Sequence, residues 1–213
     1  MPAGGSRPRT RRRLARRGCP IECCAVREVT VSVVISAPRE QIFDFVCDLA
    51  ARPAYTDHYM RDYRLARVNP YGVGAASRFQ LKAPFGKEYA ELQITEADRP
   101  RRIVEEIAVG RRGRNRSLAV YDFSIAGHDV TRVELTTFSE PATMVDRIRQ
   151  LGAAGWVRRQ TSKALNRLRM IFEEPPSGEL KRATIAGFEP DKAARFGVST
   201  GMDPARAPRR EAS

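Results

Sequence analysis

The chain has 213 residues, 42% of them hydrophobic, and a formal net charge of +13. That is enough apolar material for one core with tails, or for two very small domains. No stretch approaches the roughly 18 continuous apolar residues of a membrane-spanning helix, and the Arg-rich start lacks the apolar run of a secretory signal, so the cytosol is the expected compartment.

Residues 1–27, MPAGGSRPRTRRRLARRGCPIECCAVR, are rich in Arg, Pro and Gly and read as a disordered basic head. Such a head attracts RNA, DNA or anionic lipid without specificity; the bland reading is a solvated tail, or upstream sequence from a misplaced start codon. Cys19, Cys23 and Cys24 are spaced C-x3-C-C rather than in the C-x2-C pairs of a zinc site, so no metal is expected. Residues 173–213 mix small residues, prolines and balanced charge, and read as a low-order tail. The single domain expected between them covers residues 28–172.

That domain opens with Val29, Val31, Val33 and Ile35 on one face and Thr30 and Ser32 on the other, the period of a half-buried strand. Ser36 then caps a helix whose first turn holds Pro38. Ile42, Phe43, Val46 and Leu49 recur at helical spacing as its inner face, and Cys47 among them reads as a small buried hydrophobe. Pro53 breaks the run, and residues 54–59 form a short helix or loop. Strands follow at 63–68, 75–82, 87–96, 102–109, 117–125 and 130–138, separated by turns such as Asn69-Pro70-Tyr71-Gly72. No connection is long enough for a crossover helix, so the sheet is expected to be antiparallel.

The last element is predicted as a helix capped at Ser139 and running to about Phe172, about 48 Å if unbroken. Met144, Ile148, Leu151, Leu165 and Phe172 lie near one face, and arginines crowd much of the remainder. Gly152 and Gly155 each cost such a helix about 1 kcal/mol against Ala, and two readings compete: close approach to the sheet or to a ligand, which is favoured, or a bend in the helix. Trp156 lies off the stripe, suited to cover a sheet edge or a cavity mouth.

This order gives an α+β domain: an antiparallel sheet with one face covered by helices that cannot fill it, leaving an internal cavity. The order of the first strand, Ser36-Ala37-Pro38, the amphipathic helix ending near Asp48, and then Leu49-Ala50-Ala51-Arg52-Pro53-Ala54-Tyr55 resembles the START-like superfamily of polyketide cyclases/dehydrases and lipid-transport proteins. Gly72-Val73-Gly74-Ala75 is similar to that family's glycine turn, and Asp98-Arg99-Pro100-Arg101-Arg102-Ile103 to its turn into the fifth strand. The resemblance implies the helix-grip fold, a curved antiparallel sheet wrapped around a long C-terminal helix. It also implies a scaffold for hydrophobic ligands such as lipids, quinones or aromatic polyketides.

An apolar ligand needs aromatic and aliphatic walls with a few polar anchors. Phe79, Leu81, Tyr121, Phe123, Val133 and Leu135 are the wall candidates from the strands, and Ile148, Leu151 and Gly155 those from the helix. The competing reading makes them plain core. Tyr55, Tyr59 and Tyr121 combine apolar area with one hydrogen-bonding group and suit the orientation of a ligand. On the outer face the charged strand residues Glu91, Glu105, Glu106, Asp122, Arg132 and Glu134 make ordinary cross-strand pairs; one that points inward needs a partner and can anchor or activate a ligand, and Glu105, which shares parity with Ile103 and Ile107, is the best candidate for that. His58 lies beside the expected mouth, but adjacent residues on a helix do not face each other, so Asp57-His58-Tyr59 is no catalytic dyad, and His128 sits in a turn beside Asp129.

The chain has no G-x-G-x-x-G, P-loop, H-E-x-x-H or G-x-S-x-G motif, so no cofactor is expected and the residues name no reaction. The function read here is binding or transport of a hydrophobic small molecule, with a cyclase- or dehydratase-type enzyme on an aromatic or polyketide-like substrate as the alternative. The basic residues lack the aromatic interleaving of a specific nucleic-acid surface, but they suit peripheral contact with an anionic membrane.

Overall fold

The computed structural model describes residues 27–84, 86–110, 113–140, 144–174 and 177–185, and the side chains of these except at 27 and 144–152. The basic head with its cysteines, the chain beyond 185, and the side chains of Met144, Ile148, Leu151 and Gly152 lie outside the described residues.

The elements run β1 (Arg27–Ile35), α1 (Arg39–Cys47), α2 (Pro53–Thr56), β2 (Met60–Leu65), β3 (Ala76–Ala83), β4 (Gly86–Asp98), β5 (Arg102–Val109), β6 (Asn115–Gly127), β7 (Val130–Glu140) and α3 (Met144–Glu173). The strands form one 7-stranded sheet in the order β1-β7-β6-β5-β4-β3-β2, antiparallel throughout. Strand alternation divides it into two faces. Val33, Ile35, Leu92, Ile94, Ile103 and Val133 are buried on the inner face, each worth about 1.5–3 kcal/mol when fully removed from water. Ser32, Arg78, Glu91 and Arg132 stand exposed on the outer one.

α1 closes one end of the inner face through Ile42, Phe43 and Val46, with the Phe43 ring edge-on to Phe123 at 5.5 Å. α3, 30 residues and about 45 Å long, lies across the open side and packs along β1, burying Ala164, Leu165 and Leu168.

Several local expectations change. Ser36 does not cap α1: Pro38 occupies the cap position with no side-chain bond, and the Ser36 amide instead donates to Glu173 Oε1 at 3.1 Å. α1 stops at Cys47, because Asp48 turns extended and its carboxylate accepts the Ala50 amide at 2.9 Å; Leu49 is buried from the loop beyond. β2 begins at Met60 rather than Tyr63, because a bulge between Arg61 and Arg64, with Asp62 at φ 49°, disrupts the alternation on which a strand is recognised. Ser139 is no helix cap, since it still pairs in β7 opposite Ser117.

Residues 177–185, assigned to the tail on sequence grounds, lie against the domain. The Ala183 amide donates to the Ala50 carbonyl at 2.7 Å, the Leu65 amide donates to the Thr184 carbonyl at 2.9 Å, and Ile185 bridges Leu65 in parallel. Lys181 and Arg182 reach Asp57 and Asp48 at 2.6 and 2.7 Å.

Candidate functional site

The loop between α1 and α2 carries Arg52 at the head of α2, and the fold around it leaves the guanidinium 1% exposed. The loop folds inward because Leu49, Ala50 and Ala51 are apolar on both sides and Pro53 starts the next turn. Arg52 Nη1 donates to the Tyr121 hydroxyl at 2.8 Å, and Nη2 donates to the Val46 carbonyl at 3.2 Å and to Glu105 Oε1. The cation also sits over the rings of Tyr55 and Tyr121, 5.5 and 5.3 Å from their centroids. Its Nε has no partner, and neither have the buried Tyr55 and Tyr63 hydroxyls or Ser77 Oγ at full hydrogen-bond geometry. The Tyr55 hydroxyl still lies near enough to Tyr121 to lower that phenol's pKa slightly.

Glu105 comes inward from β5 by the parity it shares with Ile103 and Ile107, and is 1% exposed. Burial pushes its carboxyl upward, and the Arg52 charge and hydrogen bond oppose that shift. Burial alone would lower the Arg52 pKa, but Glu105 and the surrounding phenols more than offset it. A guanidinium with no counter-charge would be costly here, so the carboxylate is the state that neutralises the site. Burial also keeps the phenols protonated: Tyr121 is pushed up to about 12, and Tyr55, Tyr59 and Tyr63 are raised as well.

Above this cluster a cavity of about 120 Å³ opens between sheet and α3. Phe79, Leu81, Ile107, Val109, Ala119 and Leu135 form the sheet wall, and Tyr59 and Met60 flank it. Trp156, Val157, Gln160 and Thr161 close it from α3. Glu105 and Tyr121 line it too, and Ser117 and Ser139, hydrogen-bonded at 3.3 Å, contribute hydroxyls. A broader depression lies on the solvent side of α3, but it is open to water and shares no lining residue with this cavity.

Of the residues singled out from sequence, Tyr59, Phe79, Leu81, Glu105, Tyr121 and Leu135 come together around the cavity. Tyr55 lies in the polar cluster beneath it. Phe123 and Val133 pack into the core instead, next to α1 and β1. Gly155 is exposed with nothing within 4 Å of a Cβ placed there, so it makes no close approach to the sheet. Ile148 and Leu151 fall among the side chains not described. His58 points away from the cavity: Nε2 meets the Gln160 carbonyl at 3.2 Å and Nδ1 meets Arg167 Nη1 at 3.2 Å. With arginine the donor at Nδ1, the proton sits on Nε2 and the ring is neutral. Arg52 was missed as a site residue. Its one signal is an arginine set among small and apolar residues just before Pro53.

Among the described residues no group of His, Cys, Asp and Glu is placed to hold a metal ion, and no helix is long and apolar enough to cross a membrane.

Residues 26–173 match the family model described as polyketide cyclase / dehydrase and lipid transport. The chain belongs to that family. Solved structures share its architecture. One is a major latex-like protein from Panax ginseng, at 10% identity over 70% of this chain and 98% of that one, with a TM-score of 0.53. Another is a protein from Thermus thermophilus, at 20% identity over 67% and 94%, TM-score 0.53. The KanY protein matches at 16% identity over 70% and 98%, TM-score 0.57. At such identities the likeness carries the fold alone. No curated protein matches the chain in sequence. Membership in the polyketide cyclase / dehydrase and lipid transport family accounts for the sheet, α3 and the space between them; the match ends at residue 173, before the segment that packs on α2 and β2.

Proposed function

We propose that this chain binds a hydrophobic small molecule carrying one ring or a short apolar end, with a polar group seated against Glu105 and Tyr121. The observation that carries this reading is the composition of the cavity: an apolar sheet wall, a few hydroxyls such as those of Ser117 and Ser139, and Glu105 and Tyr121, both held by the buried Arg52, lining it as well. Tyr121 accepts from Arg52, which leaves its own proton free to donate, while Glu105 accepts. A ligand hydroxyl or carbonyl therefore meets both a donor and an acceptor. Size limits the buried part: a cavity of about 150 Å³ takes benzene, so about 120 Å³ accommodates a single ring at most. A longer lipid, quinone or polyketide would project past Trp156 or displace it.

Trp156 is the sole tryptophan, so its emission reports on the cavity directly. Titration with p-cresol, dodecanoic acid and a short-chain ubiquinone is expected to change that emission saturably for at least one of them, and Tyr121→Phe is expected to weaken the effect. Native mass spectrometry of the purified protein is expected to show a bound small molecule. No saturable change with any probe and no co-purified ligand would sink the reading.

A second reading, an enzyme of the cyclisation or dehydration type, is favoured by one observation: Glu105 lines the cavity with its carboxyl raised by burial. It predicts that Glu105→Gln keeps ligand binding and loses turnover of the ligand identified above.

A further inference from the structure

We propose that the solvent face of α3 docks this chain on an anionic lipid bilayer, bringing the helical wall of the cavity to the membrane surface. The proposal rests on the cavity reading only for what would be exchanged there. Between Gly155 and Phe172 the helix carries Arg158, Arg159, Lys163, Arg167 and Arg169 and no Asp or Glu. Arg167 turns back to the body, pairing with Asp57. Arg158, Arg159, Lys163 and Arg169 stand exposed, and of these only Arg169 meets a carboxylate among the described residues, Glu173 at 3.5 Å. Ser162, Asn166 and Met170, the last 52% exposed, complete the same face.

Geometry joins this face to the cavity. Arg159 and Lys163 follow Trp156 at spacings of three and seven residues, so they continue along the flank of the helix that covers the ligand space. A membrane lying on them would lie beside the tryptophan that closes the cavity. Charge alone also attracts nucleic acid, but among the described residues the face presents no exposed aromatic ring for bases to stack on. Its one exposed apolar side chain, Met170, suits the boundary between headgroups and acyl chains.

The test uses the full chain and vesicles of phosphatidylcholine alone, or of phosphatidylcholine and phosphatidylglycerol in equal parts. Sedimentation is expected to show binding to the anionic vesicles only, fading as salt is raised. A lysine or arginine near an anionic surface contributes about fivefold in affinity. The triple change Arg158→Ala, Arg159→Ala, Lys163→Ala is therefore expected to weaken binding about a hundredfold. An equal removal of charge from the head, Arg11→Ala, Arg12→Ala, Arg13→Ala, serves as the comparison and is expected to do much less. Brominated lipid in the anionic vesicles is expected to quench Trp156.

The proposal fails if the anionic vesicles are not bound, if the head variant rather than the helix variant abolishes binding, or if α3 prefers a single-stranded oligonucleotide to vesicles. Binding of the cavity probes in free solution without vesicle binding overturns docking and spares the cavity reading. Vesicle binding without probe uptake does the reverse. Melting curves matching the parent chain show that the triple variant is folded.

Discussion

Arg52 is buried away from solvent, so its charge depends on Glu105, Tyr121 and the two rings against it. Removing one member of a buried ion pair typically costs about 3–5 kcal/mol, because the other is left unpaired, whereas replacing both by apolar residues is often neutral. Glu105→Ala is thus expected to lower stability in urea by about that amount, and the double change Arg52→Met, Glu105→Leu to regain most of it. A double variant no better than the single would show that something other than charge pairing holds these positions. Tyr121→Phe removes the oxygen that accepts from Nη1 and is expected to cost about 1–3 kcal/mol. Glu105, Tyr55 and Tyr121 of this cluster were legible in the sequence, and Arg52 was not. Strand parity fixes which way Glu105 points, because the period of two admits only two faces. Arg52 sits in a loop, where no period constrains direction, and its burial depends on a carboxylate 53 positions away.

The turn after α2 meets α3 through His58, whose ring lies edge-on to Tyr59 at 4.8 Å and bridges Gln160 and Arg167. Burial lowers its pKa, Arg167 and Lys163 lower it further, and the Gln160 carbonyl and Asp57 act the other way. The folded state therefore prefers the neutral ring, and the unfolded chain binds the extra proton. Stability is complete above the ordinary value of 6.5 and falls as pH drops through the window between it and the folded value. Asp57, held low by Lys181 and Arg167 against the opposing effect of burial, adds a separate loss below about 4. Urea midpoints measured against pH are expected to decline below 6.5 for the parent chain, and His58→Gln is expected to flatten that first decline alone. Within α3, Gly155 faces open space, so Gly155→Ala is expected to stabilise the protein by about 0.5–1 kcal/mol, read from the same curves. A glycine that approached the sheet would give the opposite sign. That Gly155 faces away from the sheet was not legible, because composition marks an unusual residue without telling which side of a helix it occupies. β2 was displaced for a related reason: the bulge at Asp62 shifts parity midway, and alternation cannot be read across it.

Across the molecule, the order of elements fixed the architecture well before any site could be placed. Seven strands joined by connections without crossovers leave little choice but an antiparallel sheet, and a long helix after them must cover its open side. What the pattern could not supply was volume. The sheet bends far enough, and Tyr59, Met60 and Trp156 reach in far enough, that about 120 Å³ is left. Widening that space is the expected effect of Trp156→Ala. The variant is expected to bind larger probes such as dodecanoic acid more tightly and to lose some stability. Both can be measured by calorimetry, and unchanged preference between small and large probes would show that Trp156 does not limit size. The segment at 177–185 has a different consequence for the whole. At one margin of the sheet α3 lies along β1; at the other, β2 would present unpaired amides and carbonyls if Thr184 and Ile185 did not occupy part of it. Bare margins of this kind recruit strands from other molecules. A chain ending at residue 176 is therefore expected to self-associate with rising concentration in sedimentation velocity, where the intact chain does not, so that a short segment outside the family's own span helps keep each copy to itself.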